Sequence, residues 1–187
     1  MRYTRLLLAT LFAMYLAAAT HAQQAQAQVC TLTVEQAPEL RGFRLGMTAE
    51  QLKARVPGIQ VSQREFGVSN AVLSSVNFRN LDAVAYKGVN EISFAFLDDR
   101  LVRLTVFYQS VPWKNADQLA AKVSESLKLP NALRWGQNQD KVLTCAGFDI
   151  KAAVYENSIT LDTPGYDEIV RRRREQRDEK LRQDFRP

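Results

Sequence analysis

The sequence predicts an α+β protein, with short helices packed on one face of an antiparallel β-sheet and a long charged helix at the C-terminus. Three observations carry this. Two capped segments of helical period each lead into runs of period two. The period-two runs come in pairs joined by tight turns, the mark of antiparallel hairpins. From Pro164 onward both patterns give way to dense, alternating charge.

The first helix is expected at Thr48–Val56. Thr48 is an N-cap residue and Gln51, three positions later, completes a capping box. Ala49, Leu52 and Val56 form its apolar face, and Pro57-Gly58 ends it. Upstream, Pro38 and Gly42 punctuate a loop in which Phe43 and Leu45 alternate like a very short strand. A helix of nine residues is too short to stand alone, so it must pack on a sheet. Residues 59–88 carry frequent Asn, Ser and Gly; Ile59–Phe66 reads as a strand, and Val72, Val76 and Phe78 fit the alternation of loops or edge strands. The pattern sharpens at Val89–Tyr108. Ile92, Phe94 and Phe96 share one face, and Val102, Leu104, Val106 and Tyr108 answer them across an Asp98-Asp99 turn. Asn115 caps a second helix over Ala116–Leu129, with Leu119, Ala120, Val123 and Leu127 on one face and Pro130-Asn131 as its stop. A second hairpin follows: Val142–Cys145, a bend at Gly147, then Phe148, Ile150, Ala152 and Val154 in alternation, a turn at Glu156–Ser158, and Ile159–Leu161 returning.

The domain is thus expected over residues 29–163, as one unit or as two similar halves of about 40–110 and 111–163. Residues 164–187 form the charged helix, with Thr163 as cap, Pro164 in the first helical position and Tyr166, Ile169 and Val170 as its apolar patch. It holds 8 basic and 6 acidic residues. Opposite charges recur four apart at 167–171, 168–172, 171–175, 174–178, 178–182 and 180–184, which suits a solvated helix docked at its first turn.

The N-terminus reads as an export signal. Arg2 and Arg5 precede a 14-residue apolar run, Leu6–Ala19, and small residues follow. A membrane span needs roughly 18 apolar residues or more, so residues 1–22 are expected to be cleaved rather than retained as an anchor. Gln23–Gln28 is then a flexible polar spacer. The exported chain has 23 Lys+Arg against 20 Asp+Glu, too mild a balance for nucleic acid. In an oxidising compartment its two cysteines, Cys30 and Cys145, are most simply a disulfide. A lipid-modified Cys30 fits poorly, because Ala-Gln repeats separate it from the apolar run.

The sole histidine, His21, lies in the leader. The exported chain therefore lacks the imidazole of Ser-His-Asp and Cys-His systems and of His-ligated metal sites. Two cysteines are too few for a Cys-only zinc site, Asp98-Asp99 has no calcium loop around it, and no Gly-rich phosphate loop or Gly-x-Ser-x-Gly occurs. No cofactor and no metal are expected. Carboxylate chemistry remains open through Glu91, Asp98, Asp99 and Asp149, but these fall in turns or at outward strand positions.

The segment Phe43-Arg-Leu-Gly-Met-Thr-Ala-Glu-Gln-Leu-Lys-Ala-Arg55 resembles the Gly-Met-Thr/Ser start of the SmpA/OmlA-type envelope proteins, and similar starts occur in the β-lactamase-inhibitor-protein-like fold. The resemblance extends over residues 43–108 at most and implies a small α+β module that binds protein, without catalysis, in the periplasm or outside the cell. The chain departs from it in having no lipid-acceptor cysteine directly after the apolar run. The expected function is accordingly an exported interaction module with a protein of the cell envelope as partner. The open sheet face and the tail are its proposed surfaces. Trp113 and Trp135, flanking the second helix, are candidate contact residues. So are Arg171, Arg172, Arg173 and Arg174, which also suit contact with an anionic membrane surface, and Leu181 and Phe185, which suit a partner helix. The rivals are a carboxylate-dependent hydrolase and a small-ligand carrier with a pocket beside the two tryptophans.

Overall fold

Backbone hydrogen bonds join six strands into one antiparallel sheet in a computed structural model, which describes residues 29–74, 77–82, 84–110, 112–131, 135–136 and 140–184. The expected signal and spacer, Val76 and Phe185 lie outside the described residues. The strands are β1 (Val68–Ser74), β2 (Val89–Leu97), β3 (Arg100–Tyr108), β4 (Lys141–Thr144), β5 (Asp149–Ala153) and β6 (Ser158–Asp162), in the spatial order β1-β2-β3-β6-β5-β4. Helices α1 (Ala49–Arg55), α2 (Ala116–Leu127) and α3 (Tyr166–Asp184) complete the α+β fold. The order helix–strand–strand–strand occurs twice, and the last strand of each run, β3 and β6, pair antiparallel at the middle of the sheet.

Alternation decides which side of each strand is buried. Ala71 and Leu73 of β1, Ile92, Phe94 and Phe96 of β2, Leu101, Leu104 and Val106 of β3, Leu143, Ile150, Ile159 and Leu161 form the inner face. The α1 stripe of Ala49, Leu52 and Val56 joins this core, as do Leu119, Ala120 and Val123 of α2. Phe43 meets Phe94 edge-on at 4.9 Å between ring centres, so the segment before α1 is also part of the wall. Thr48 caps α1 as expected: its Oγ1 accepts from Gln51 N at 3.1 Å, and Gln51 Oε1 accepts from Thr48 N at 2.9 Å. Asn115 Oδ1 likewise accepts from Gln118 N at 3.0 Å.

Several boundaries differ from expectation. Ile59–Phe66 is not a strand; Ile59 is buried in the core, the segment meets β1 through isolated bridges, Val61 to Ala71 and Glu65 to Val68, and through bonds between Ser62 and Asn70, and its residues Ser62–Glu65 are exposed with no buried alternation. Val72 points outward, because the buried phase of β1 is carried by Ala71 and Leu73. Phe78 sits in a 3-10 turn and stacks on Tyr86 at 5.0 Å. Val102 leaves the inner face altogether. Phe96 pairs with Leu101 and Ala95 with Arg103, so Val102 is the extra residue of a β-bulge and joins Arg103 on the outer side. The second helix ends at Leu127, where Lys128 takes a left-handed conformation (φ 55°). The third starts at Tyr166, not Pro164: Gly165 has φ +79°, and its carbonyl accepts the helical bond of Ile169 at 3.0 Å.

Cys30 and Cys145 form a disulfide with Cα atoms 4.4 Å apart, closing 115 residues of chain. The bond places the chain in an oxidising, extracytoplasmic environment. Around it the N-terminal segment lies along the end of β4. Ala146 N donates to the Cys30 carbonyl and Gly147 N to that of Leu32, each at 3.0 Å. A β-carbon at Gly147 would collide with the backbone of Thr33 and Val34, so glycine here serves close approach of two chains rather than a bend alone. Loop-closure entropy for so long a loop is worth about 4–5 kcal/mol. The double variant Cys30→Ser/Cys145→Ser should lose about that much in urea unfolding, and Gly147→Ala should lower the urea midpoint with the bond intact. Unchanged midpoints would contradict this account of the N-terminal staple.

Candidate functional site

The outer face of the sheet is built from the residues that alternation turns away from the core. Cross-strand register sets them in rows. One row runs Asn70, Ala95, Arg103, Asp162, Asp149, Thr144; the next runs Val72, Ser93, Thr105, Thr160, Lys151, Val142; a third holds Ser74, Glu91, Phe107, Ser158 and Ala153.

Helix α3 covers the part of this face on β1–β3 nearest the Asp98-Asp99 turn, and leaves Asn70 and Val72 of β1 exposed. Tyr166, Val170, Arg173 and Arg177, spaced i, i+4, i+7, i+11, make its contact stripe. Tyr166 and Val170 are buried with the bulge residue Val102, and Val68, Ala95 and Leu97 pack around them. Arg103 ties the start of α3 to the sheet. Its Nη2 reaches Asp162 Oδ2 and Asp167 Oδ2, both at 2.6 Å, its Nη1 reaches Asp167 Oδ1 at 3.0 Å, and its guanidinium lies 4.8 Å over the Tyr166 ring. Further along, Arg173 grips Asp98 with both Nη atoms, at 3.0 and 2.6 Å, and donates to the Phe66 carbonyl at 2.9 Å. Arg64 adds a third bond to Asp98 at 2.9 Å, and Arg177 lies 4.5 Å over the Phe66 ring.

The Asp98-Asp99 turn therefore does two jobs. Both residues have positive φ (51° and 66°), as the mirror-type hairpin turn requires. The Asp98 carboxylate then anchors α3, and that of Asp99 lies 3.4 Å from Ala49 N at the start of α1. Gly67 is needed beside them, since a β-carbon there would strike the Arg173 guanidinium and Asp98 carboxylate.

Electrostatics follows the geometry. Bonds from Arg173, with Arg64 in support, hold Asp98 down at about 2. Burial resists the charge on Arg103, but the bonds to Asp167 and Asp162 outweigh it and raise its affinity for its proton. Asp167, more exposed, is held below the ordinary carboxylate value by its bonds to Arg103. Burial pushes Asp162 up, against the pull of Arg103.

Beyond α3 the β3–β6–β5–β4 side stays open as a groove of about 410 Å³, with Phe107, Thr160, Lys151 and Asp149 among its walls. An adjoining hollow of about 560 Å³ shares Phe107 and Glu156 and adds Glu91. The groove is acidic in a basic protein. Its two cations are already committed: Arg103 as above, and Lys151 to Asp140 at 2.9 Å and Glu156 at 3.8 Å. Asp149 Oδ1, Asp162 Oδ1 and Arg103 Nε are buried and have no hydrogen-bond partner among the described residues. With Glu156, the Asp149 and Asp162 carboxylates give the groove one more acid than it has cations, which favours a cationic group binding there.

The two tryptophans do not share a pocket. Trp135 is buried in the core, and Trp113, half-buried, lines a separate cleft against α2. Of the four consecutive arginines only Arg173 turns toward the sheet. Arg171 bonds Glu168 and Glu175, Arg172 bonds Glu168, and Arg174 is exposed. Among the expected i, i+4 pairs, 168–172 and 171–175 form; Asp167 goes to Arg103, Asp178 to Arg177 and Arg182 to Glu179. Leu181 is 59% exposed on the distal part of α3. The four acids considered for hydrolysis do not converge. Glu91 and Asp98 lie at opposite ends of β2, about 23 Å apart along the strand, Asp99 is in the turn, and Asp149 is opposite Asp162 on β5. Sequence reasoning missed Arg103, Asp162, Asp167 and Arg177. The i, i+4, i+7, i+11 spacing that continues from Tyr166 and Val170 into Arg173 and Arg177 was the available signal.

Among the described residues no group of three or more His, Cys, Asp or Glu side chains is placed to hold a metal ion, and no helix is long and apolar enough to cross a membrane. Compared with protein-family models, curated proteins and solved structures, the chain matches none.

The Asp98 anchor has a defined pH dependence. Its folded-state value lies below the ordinary 3.8, so its contribution to α3 docking is complete above 3.8 and is lost as pH falls through about 2. A carboxyl NMR titration should find the Asp98 midpoint near 2 and find it returned toward the ordinary value in Arg173→Gln. A midpoint unmoved by that change would show that Arg173 does not hold the turn.

Proposed function

We propose that the protein is an exported, non-catalytic interaction module of the bacterial cell envelope. Its docking face is the acidic groove on the outer side of β3, β6, β5 and β4, and its partner is a protein segment rich in Lys or Arg. One observation carries the reading: three carboxylates, Asp149, Glu156 and Asp162, line a half-open sheet face whose two cations, Arg103 and Lys151, are already ion-paired. A basic segment supplies the complementary charge, and Phe107 offers the stem of a Lys or Arg side chain a surface to lie on. The disulfide supports an extracytoplasmic location. Residues 1–22 are proposed as a cleaved signal that delivers the chain to the periplasm or the medium. The resemblance of Phe43–Arg55 to SmpA/OmlA-type envelope proteins supports protein binding over catalysis.

The test is affinity capture from envelope extracts with three forms of the chain. The native form should retain one protein saturably, and less of it as salt rises. Thr160→Arg, which sets a cation in the middle of the groove, should weaken retention at least tenfold. Removal of residues 178–187, beyond the docked part of α3, should leave retention intact. Equal retention by native and Thr160→Arg forms would exclude the groove as the docking face.

A further inference from the structure

On the opposite side of the sheet, a cleft of about 410 Å³ opens between α2, the end of β3 and the Leu40–Phe43 turn. Its walls are Leu119, Val123 and Leu127 of α2, with Trp113, Tyr108 and Ile159 across from them. Trp113, Tyr108 and Leu127 are only half-buried there, although each packs against the main core. The size falls within the range of roughly 300–1,000 Å³ typical of small-molecule pockets, and so does the predominantly apolar lining.

The charged groups at its rim are Arg41, Lys122 and Glu39. Lys122 is engaged by Glu125 at 2.8 Å. Arg41 makes no salt bridge among the described residues. Its Nη1 donates to the Ala85 carbonyl at 2.8 Å and its guanidinium lies 5.5 Å over the Tyr108 ring, which holds the fork at the cleft mouth. The backbone at Arg41 is itself unusual. Leu40 and Phe43 exchange both backbone bonds, at 2.9 and 3.0 Å, around a two-residue turn in which Arg41 has φ 54° and Gly42 has φ 84°. Asn or Asp suits the first position of such a turn, and a long side chain there carries strain. Strain of this kind clusters at ligand clamps and other functional sites.

We propose that this cleft binds a small amphipathic monoanion, an apolar tail ending in a carboxylate. The tail lies against Trp113, Leu119 and Val123, and the carboxylate meets Arg41. This site is independent of the outer groove, so either can fail alone. The test is calorimetric titration of the oxidised protein with decanoate and with decan-1-ol, its neutral counterpart. Saturable decanoate binding, at least tenfold tighter than decan-1-ol, is expected. Arg41→Gly, whose left-handed backbone suits glycine, should remove that preference. Ser126→Trp, an exposed change at the rim, should block both ligands while leaving the melting temperature unchanged. Absence of saturable decanoate binding, equal affinity for the two probes, or full decanoate affinity in Arg41→Gly would each overturn the assignment.

Discussion

A sheet of six strands has two faces, and short helices can bury only one of them. Here the inner face receives α1, α2 and the segment before α1, and the outer face would remain wet but for α3. What fixes α3 is the Arg103 node. One guanidinium on β3 reaches a carboxylate of β6, a carboxylate of α3 and the Tyr166 ring. The bulge at Val102 makes this geometry available, because it turns two successive residues of β3, one apolar and one cationic, toward the same side. The Asp98–Arg173 clamp repeats the arrangement further along the helix. Between them the two clamps set the boundary between the covered and open halves of the outer face.

That boundary gives the charge distribution its meaning. The chain is basic overall, with net charge +5, yet its open groove is acidic. The arginines of α3 do not compensate it. Arg173 and Arg177 are committed to the turn and to Phe66, and Arg171 and Arg172 to acids on their own helix. Exposed pairs of this kind are individually worth little, about 0–1 kcal/mol. Their effect is on orientation: they leave α3 a covering element over its first three turns and keep its arginines away from the acids of the groove. The disulfide acts on a different part of the problem, tying the N-terminal segment to β4, the shortest edge strand of the sheet.

The elements with strong local signals were legible in the sequence. The Thr48 and Asn115 caps, the Asp98-Asp99 turn, the second hairpin and the Cys30–Cys145 bond all depend on residues close in sequence or on simple pairing arithmetic. What was not legible depends on partners brought together by topology. A bulge has no residue signature at Val102, so strict alternation placed it in the core. Gly165 shifted the start of α3 by supplying a left-handed residue where Pro164 suggested a first turn. The largest miss concerns the site. Asp167 has Arg171 four residues away, and local spacing pairs them; the fold instead brings up Arg103, 64 residues distant, with a geometry that binds two oxygens at once. Likewise Trp113 and Trp135 flank α2 in sequence, but the chain folds one into the core and leaves the other at the rim of a cleft.

The central claim is that the outer face is divided: α3 covers the patch of Val68, Ala95, Leu97 and Val102, and the groove along β3, β6, β5 and β4 stays open. Solvent paramagnetic relaxation measured by NMR with a soluble gadolinium chelate tests it most directly. Side-chain protons of Thr160 and Val142 should relax strongly, while those of Val102 and Ala95 beneath α3 stay protected. Uniform relaxation across these four residues would contradict the account.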